Sequence, residues 1–362
     1  MEAPLRFGLI GVGVGARQLL PALTAGAHSR LVAAADLRAQ ALEPLARDHG
    51  VRAYSSVDDL VRDPDIEAVW VATPNHLHAE HAIAALGAGK HVIVSKPMAI
   101  TLAEGSAMAS AARSNGVFLL AGHTQSMAPS IRKMAAIVRS GELGKLGMLH
   151  TWHFTDWMYR PRLPDELDVS RGGGPVFRQA SHQVDIVRSI AGSPVRSVRA
   201  SVVQLDAARG APGAYTAFLE FESGVPATIV YSGYGHFGMD ALLGRATTPR
   251  SSAGSDDAAA KEALRQAPVG YNSLGLFGLT LVTCEHGDIR ESPSGLLIDE
   301  RDACREVPLQ DEARGAAEIE ELYEAVRHAR PITHNGEWGQ ATLEVCLAIH
   351  ESARTGTDIR LG

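Results

Sequence analysis

The stretch Arg6–Leu20 reads RFGLIGVGVGARQLL, and the residues after Ile10 decide the fold. An apolar run ending at Ile10 has the composition of a buried strand. The next residues place Gly11, Gly13 and Ala16 in the spacing G-x-G-x-x-A, and a helical pattern comes after them. Each small residue has a physical task there: a tight turn, close backbone approach to a pyrophosphate, and close packing of helix on strand. Glycine-rich turns are common, so the context carries the reading. A strand precedes, a helix is expected over 16–25, and Asp36 stands at the end of the second strand. A carboxylate there accepts hydrogen bonds from ribose hydroxyls and repels a 2′-phosphate, which favours NAD. Arg38, two residues on, softens that preference by stacking on adenine or meeting a phosphate, so NADP stays open.

Working outward, strands are expected near 6–10, 31–35, 68–72, 91–94 and 117–121. Helices are expected near 39–49, 57–62, 77–86 and 102–114. Ser56 with Asp59 and Thr101 with Glu104 have the spacing of capping boxes, and Gly116 stands where a helix-ending glycine belongs. Repeated β-α-β units predict a doubly wound parallel sheet over 1–124, a nucleotide-binding Rossmann domain. Its other strand ends are polar: Thr73-Pro74-Asn75-His76, Ser95-Lys96-Pro97, and Gly122-His123-Thr124. Ligands of such sheets sit at the carboxyl ends of the strands, which puts Lys96 on the rim where a nicotinamide would lie. A lone ammonium after the apolar run Val92–Val94 needs a reason to be there.

After Pro129 the pattern changes. A helix near 130–140 is succeeded by longer, more alternating strands near 147–155, 198–205, 215–221, 227–231 and 276–284. Runs of strands with few helices predict an open, antiparallel or mixed sheet in a second α/β domain over 125–362. Residues 240–269 read as an insertion, and helices near 313–329 and 338–353 close the chain. Within RGGGPVFRQASHQVDIVRSI (Arg171–Ile190), three glycines precede a helix with His182 and Asp185 three apart, on neighbouring positions of one face. His182 suits proton relay near neutral pH, and Asp185 suits orienting it or binding a hydroxyl.

The 362 residues exceed one ordinary core, and 45% hydrophobic with 21% charged residues describes a globular chain. A net charge of −7 gives no general attraction to nucleic acid or an anionic membrane. The three cysteines are far apart and fit a reducing compartment; with no extended apolar stretch, a cytoplasmic protein is expected. His76, His78 and His81 lie close in HLHAEH, but no carboxylate or cysteine spacing completes a metal site, and none is expected.

Taken together, G-x-G-x-x-A, TPNHLHAEHAIAALGAGKHVIVSKP and the GGG with its downstream H-x-x-D resemble the glucose–fructose oxidoreductase / inositol dehydrogenase (Gfo/Idh/MocA) family. The resemblance implies a Rossmann domain and an open-sheet domain used for oligomer contacts, hence a homo-dimer or homo-tetramer. By position it implies cofactor contacts from Gly11, Val12, Gly13 and Val14, from Asp36, and from Thr73, Pro74, Asn75 and His78; Gly15 and Arg38 adjoin them as further cofactor candidates. Lys96 and Pro97 complete that side, with Ser95 beside them as a further cofactor candidate. Lys96 and His182 match the catalytic pair, and Asp185 a substrate-side carboxylate.

Three departures stand out. Ser95 replaces the family's Glu before Lys-Pro, Thr124-Gln125 stands around the usual Asn-Arg, and Arg178 occupies the place of an Asp four residues before the histidine. A guanidinium in place of an acid removes a hydroxyl acceptor and adds a fixed cation, which suits an anionic substrate. AGHTQSMAPSIRKM, WHFTDWMYRPR and YSGYGHF resemble the phthalate-type cis-dihydrodiol dehydrogenase branch. That implies oxidation of an aromatic-acid dihydrodiol to a catechol; for such a substrate Arg160, Arg162 and Arg178 are candidates for binding carboxylates, and Trp157 and Tyr159 for stacking on the ring. A sugar- or inositol-type dehydrogenase, an NAD-dependent glycoside hydrolase and a non-enzymatic NAD-binding sensor are the alternatives.

Overall fold

The computed structural model describes residues 2–237, 239, 259 and 277–362. Its first unit opens with β1 (Leu5–Ile10), the one-turn α1 (Val14–Arg17), α2 (Leu20–Ala25) and β2 (Ser29–Ala35). It continues through α3 (Ala39–His49), β3 (Arg52–Tyr54), α4 (Val57–Val61), β4 (Ala68–Val71), α5 (His78–Gly87), β5 (His91–Ser95), α6 (Leu102–Asn115) and β6 (Leu119–Gly122). All six strands are parallel, in the order β3-β2-β1-β4-β5-β6. This is the doubly wound order in which the strands reverse beside β1, and the crevice at that reversal is where dinucleotides bind. The single helix expected over 16–25 is two helices, because Pro21 has no N–H to donate to the carbonyl four residues back. The expected caps are present: the Ser56 hydroxyl accepts from the Asp59 amide, and Thr101 with Glu104 closes a full capping box.

The second unit begins with α7 (Pro129–Ser140), β7 (Leu146–Phe154), α8 (Pro164–Leu167) and α9 (Ser181–Ala191). β8 (Val195–Val203), β9 (Ala214–Phe221) and β10 (Pro226–Ser232) come next, then β11 (Leu279–Cys284), β12 (Gly287–Glu291), β13 (Gly295–Glu300) and β14 (Ala303–Pro308). The expected insertion over 240–269 lies outside the described residues apart from residue 259. The chain then returns to the first unit: Ala313–Leu343, with α10 (Ala316–His328), packs there, whereas the sequence pattern puts all of 125–362 in the second domain. Ile319, Leu322 and Tyr323 explain the return, since they pack into the core of Leu9, Trp70 and Leu120. α11 (Gly336–Thr355) leads back to the second unit, which ends in β15 (Ile359–Arg360).

The second sheet runs β14-β13-β12-β11-β7-β10-β9-β8-β15. Its pairs are antiparallel except β7 with β10, which makes it mixed. One face is a core in which Leu149, Ala217, Leu219 and Ile229 meet Val184 and Val187 of α9 and Ile349 of α11. The other face carries Met148, Trp152 and Phe218, exposed by 41%, 39% and 47%.

Candidate active site

The nucleotide half is built at the carboxyl ends of β1, β2, β4 and β5. Gly11 adopts φ +87°, and a Cβ there would lie 2.9 Å from the Ala72 carbonyl oxygen, so only glycine turns so tightly against β4. A Cβ at Gly13 would meet nothing within 4 Å, which leaves the outer side of the loop open for a pyrophosphate. Val14 and Gly15 are exposed beside it and Val12 is buried beneath.

Asp36 ends β2 with both oxygens engaged. Oδ1 accepts from the Arg38 amide at 2.9 Å and Arg38 Nε at 3.0 Å; Oδ2 accepts from the Val12 amide at 2.8 Å and Arg38 Nη2 at 3.0 Å. Burial pushes this carboxyl up, but the Arg38 side chain and the two amides outweigh it and hold the group below the usual carboxylate value. The sequence gives Asp36 to a ribose and Arg38 to adenine or a phosphate; the structure pairs them with each other.

His78, 1% exposed, ties two strand ends together. Its Nδ1 lies 2.7 Å from the Pro97 carbonyl oxygen and its Nε2 2.8 Å from that of Thr73. Carbonyls only accept, so full use of both contacts requires N–H on both ring nitrogens. One ring thus holds the Thr73-Pro74-Asn75 loop and the turn of half-buried Lys96, whose peptide bond to Pro97 is cis. Ser95 accepts a hydrogen bond from the Trp70 indole of neighbouring β4 at 3.1 Å. Lys90, in the same GKHV stretch, carries no signal of a role in the sequence. Its buried ammonium donates to the carbonyls of Asp63 and Ile66 at 2.8 and 2.9 Å, fixing the start of β5.

The substrate half lies in the second unit. Gly173 permits the GGG turn, since a Cβ there would come 2.6 Å from the Asp165 carbonyl oxygen. The chain then runs through a π-helical segment, Val176–Ala180, directly into α9. Single π turns inside helices recur at functional sites, and this one carries Arg178. His182 sits in the first turn of α9, 8% exposed, its ring 4.7 Å from that of Phe277. Gln183 is easily missed in the sequence, yet it fastens this turn to the sheet. Its Nε2 donates to the Thr151 and Val230 carbonyls at 3.0 Å each, across the parallel seam of β7 and β10, and its Oε1 accepts from Tyr215. Asp185, expected as a substrate-side acid, has no exposed surface; it accepts from the Ser126 hydroxyl and lies 3.8 Å from Arg188. It faces inward because α9 turns that side toward the start of the unit.

Arg162 and Arg178 converge on one carboxylate, Glu166 Oε1, at 3.4 and 3.3 Å. Arg162 is 8% exposed and lies 4.0 Å over the Trp157 ring, so it is no solvated loop residue and covers a face of the indole. Burial, with Arg178 and Arg160 nearby, brings its guanidinium down to about 10 despite Glu166. Arg160 is 44% exposed at its side chain and pairs with Asp156. Tyr159 is half-buried, its hydroxyl 3.4 Å from His236 Nε2. His153 packs edge-on against Phe277 at 4.2 Å, and burial pulls its imidazole down to about 4. Among the described residues no group of three His, Cys, Asp or Glu is placed to hold a metal ion, and no helix is long and apolar enough to cross a membrane.

A sheet of this order, a glycine turn open on its outer side and an acid at the end of β2 define a dinucleotide-binding domain. Comparison with known proteins agrees. Residues 5–123 match the oxidoreductase family with an NAD-binding Rossmann fold, and residues 131–244 match the GFO/IDH/MocA C-terminal domain. The chain is 32% identical to the 1-carboxy-3-chloro-3,4-dihydroxycyclohexa-1,5-diene dehydrogenase of Comamonas testosteroni, over 97% of this chain and 95% of that one. A solved structure from Bordetella bronchiseptica, assigned as a dehydrogenase, is 33% identical with a TM-score of 0.88, covering 99% of this chain and 100% of that one. The aldose-aldose oxidoreductase of Caulobacter crescentus, at 23% identity and a TM-score of 0.80, covering 99% and 100%, shares the fold. The chain belongs to the Gfo/Idh/MocA family and is an NAD(P)-dependent oxidoreductase.

Proposed function

We propose that the enzyme oxidises a cis-dihydrodiol of an aromatic carboxylic acid to the corresponding catechol. The observation that carries this reading is the convergence of Arg162 and Arg178 on Glu166, with Arg178 standing four residues ahead of His182. Two guanidiniums on one carboxylate favour a further anion, and a planar fork suits a carboxylate better than a neutral sugar hydroxyl. The Comamonas relative named above acts, by its name, on a carboxylated diene diol, which supports the same class.

The Gly11–Gly15 loop and the Thr73-Pro74-Asn75 turn would hold the dinucleotide, which would supply the hydride acceptor for the carbinol carbon. The chain supplies the rest. Lys96 or His182 accepts the proton of that carbon's hydroxyl, and Arg178 with Arg162 binds the ring carboxylate. The hydroxy-ketone then tautomerises to a catechol, so the diol loses one hydride and one proton, and the gain of aromaticity makes the direction favourable. Asp185, through Ser126 and Arg188, holds α9 and the histidine on it. The open sheet face serves assembly into a homo-dimer or homo-tetramer.

An assay panel tests the substrate class: cis-dihydrodiols of phthalate and benzoate against inositol and glucose, following reduced cofactor at fixed NAD. The carboxylated diols are expected to turn over, and Arg178→Ala is expected to raise their KM by about tenfold or more while cofactor affinity stays within about threefold. Turnover of inositol or glucose alone would sink the dihydrodiol reading.

A further inference from the structure

His78 cannot be neutral and keep both of its hydrogen bonds. A neutral imidazole has one N–H and one bare nitrogen, and here each ring nitrogen faces a backbone carbonyl, that of Pro97 at 2.7 Å and that of Thr73 at 2.8 Å. In either neutral tautomer a lone pair would press on a carbonyl oxygen inside hydrogen-bond distance. Turning the ring over would aim carbons at the same two oxygens and lose both bonds. Burial opposes a charge on this ring, which is 1% exposed, but two hydrogen bonds that only the charged form completes act against that cost. Carbonyl oxygens also hold a cation without bringing a formal negative charge that would cancel it.

The charged and titratable groups on the surrounding elements are occupied or distant. Glu104 of α6 accepts from the amides of Ile100 and Thr101, Arg113 of the same helix pairs with Glu337, and Glu80 of α5 is exposed. His91 begins β5 at its opposite end, and His76 is half-buried in the turn before α5. His81, pulled down by burial, is neutral and lies 3.1 Å from the Thr73 hydroxyl. Lys96 stands apart from these, because its half-buried residue is joined directly to the Pro97 that His78 grips. A like charge so placed disfavours the ammonium form. We propose that His78 is held as an imidazolium and lowers the basicity of Lys96, a positioning residue that keeps the lysine available as a neutral amine. The use of that amine as a base rests on the function proposed above; the charge on His78 does not.

NMR of the whole enzyme tests this without a substrate. With ¹⁵N-labelled histidine, and His78→Gln to identify the signal, both ring nitrogens of His78 are expected to stay protonated up to about pH 8.5, some two units above an ordinary histidine. With lysines reductively methylated in ¹³C, and Lys96→Met to identify the signal, Lys96 is expected to titrate about one unit or more below an ordinary lysine. In His78→Gln that titration is expected to move back up by about one unit. A His78 ring with one bare nitrogen at about pH 7.5 would overturn the proposal. So would a wild-type Lys96 that titrates at the ordinary lysine value, a result that needs no folded His78 variant, or a Lys96 titration unmoved by His78→Gln. Failure of the base reading looks different: Lys96→Met would turn over unchanged while both NMR results stand.

Discussion

Lys96 owes its position to groups that do not themselves react. Its backbone leaves the sheet between Ser95, held to Trp70 of the next strand, and Pro97, whose carbonyl is gripped by His78. The side chain therefore starts from a strand end fixed on both sides, which suits the proposed role of its neutral amine, since a base misplaced by an ångström loses much of its effect. Replacing Lys96 by Met removes the proposed base while keeping the length of the side chain. Turnover is expected to fall by about 100-fold or more, with the NADH dissociation constant, read from quenching of protein fluorescence, within about threefold of wild type. Unchanged turnover would remove Lys96 from the chemistry.

At the scale of elements, the helix–strand alternation of the first unit is legible in the sequence because each strand is an apolar run and helix ends carry signals, such as Thr101-x-x-Glu104 or Gly116. β3, β12, β13 and β14 are not legible. β3 is three residues long, and β14 alternates only exposed with partly exposed side chains, so neither has a buried face to read. The π segment before α9 is hidden for another reason: its hydrogen-bond register depends on packing, not on residue type. Glu318, in the first turn of α10, escapes notice because a glutamate on a helix reads as solvated. It is 1% exposed, its Oε1 has no hydrogen-bond partner among the described residues, and burial raises its carboxyl from 4.5 to about 7. Between those values the folded chain holds a proton that the unfolded chain has lost. Stability is therefore greatest below the lower value and falls as pH rises toward the upper one, by about 3 kcal/mol. Urea unfolding at about pH 5 and pH 8 is expected to show this loss in wild type and to show it reduced by about that amount in Glu318→Gln. An identical pH dependence in both proteins would contradict it.

For the molecule as a whole, the exposed apolar side chains on one face of the second sheet are what the proposed assembly rests on. Across the register His150, Thr228 and Phe218 share a row, Met148 and Trp152 flank it on β7, and His150 bonds Thr228 at 2.7 Å. Exposed apolar side chains grouped on one face mark an association surface. Combining Trp152→Arg with Phe218→Asp is expected to reduce the mass seen by light scattering from that of a dimer or tetramer to that of one chain; a wild-type protein already monomeric would refute the assembly. The parallel seam of this sheet bears on how the chain is made. β7 borders β10, and bonded partners such as His150 and Thr228 stand 78 residues apart in sequence. No hairpin can deliver that pairing. On the ribosome β7 stays unpaired on that side until β8, β9 and β10 have emerged, so this seam is a late contact of high sequence separation.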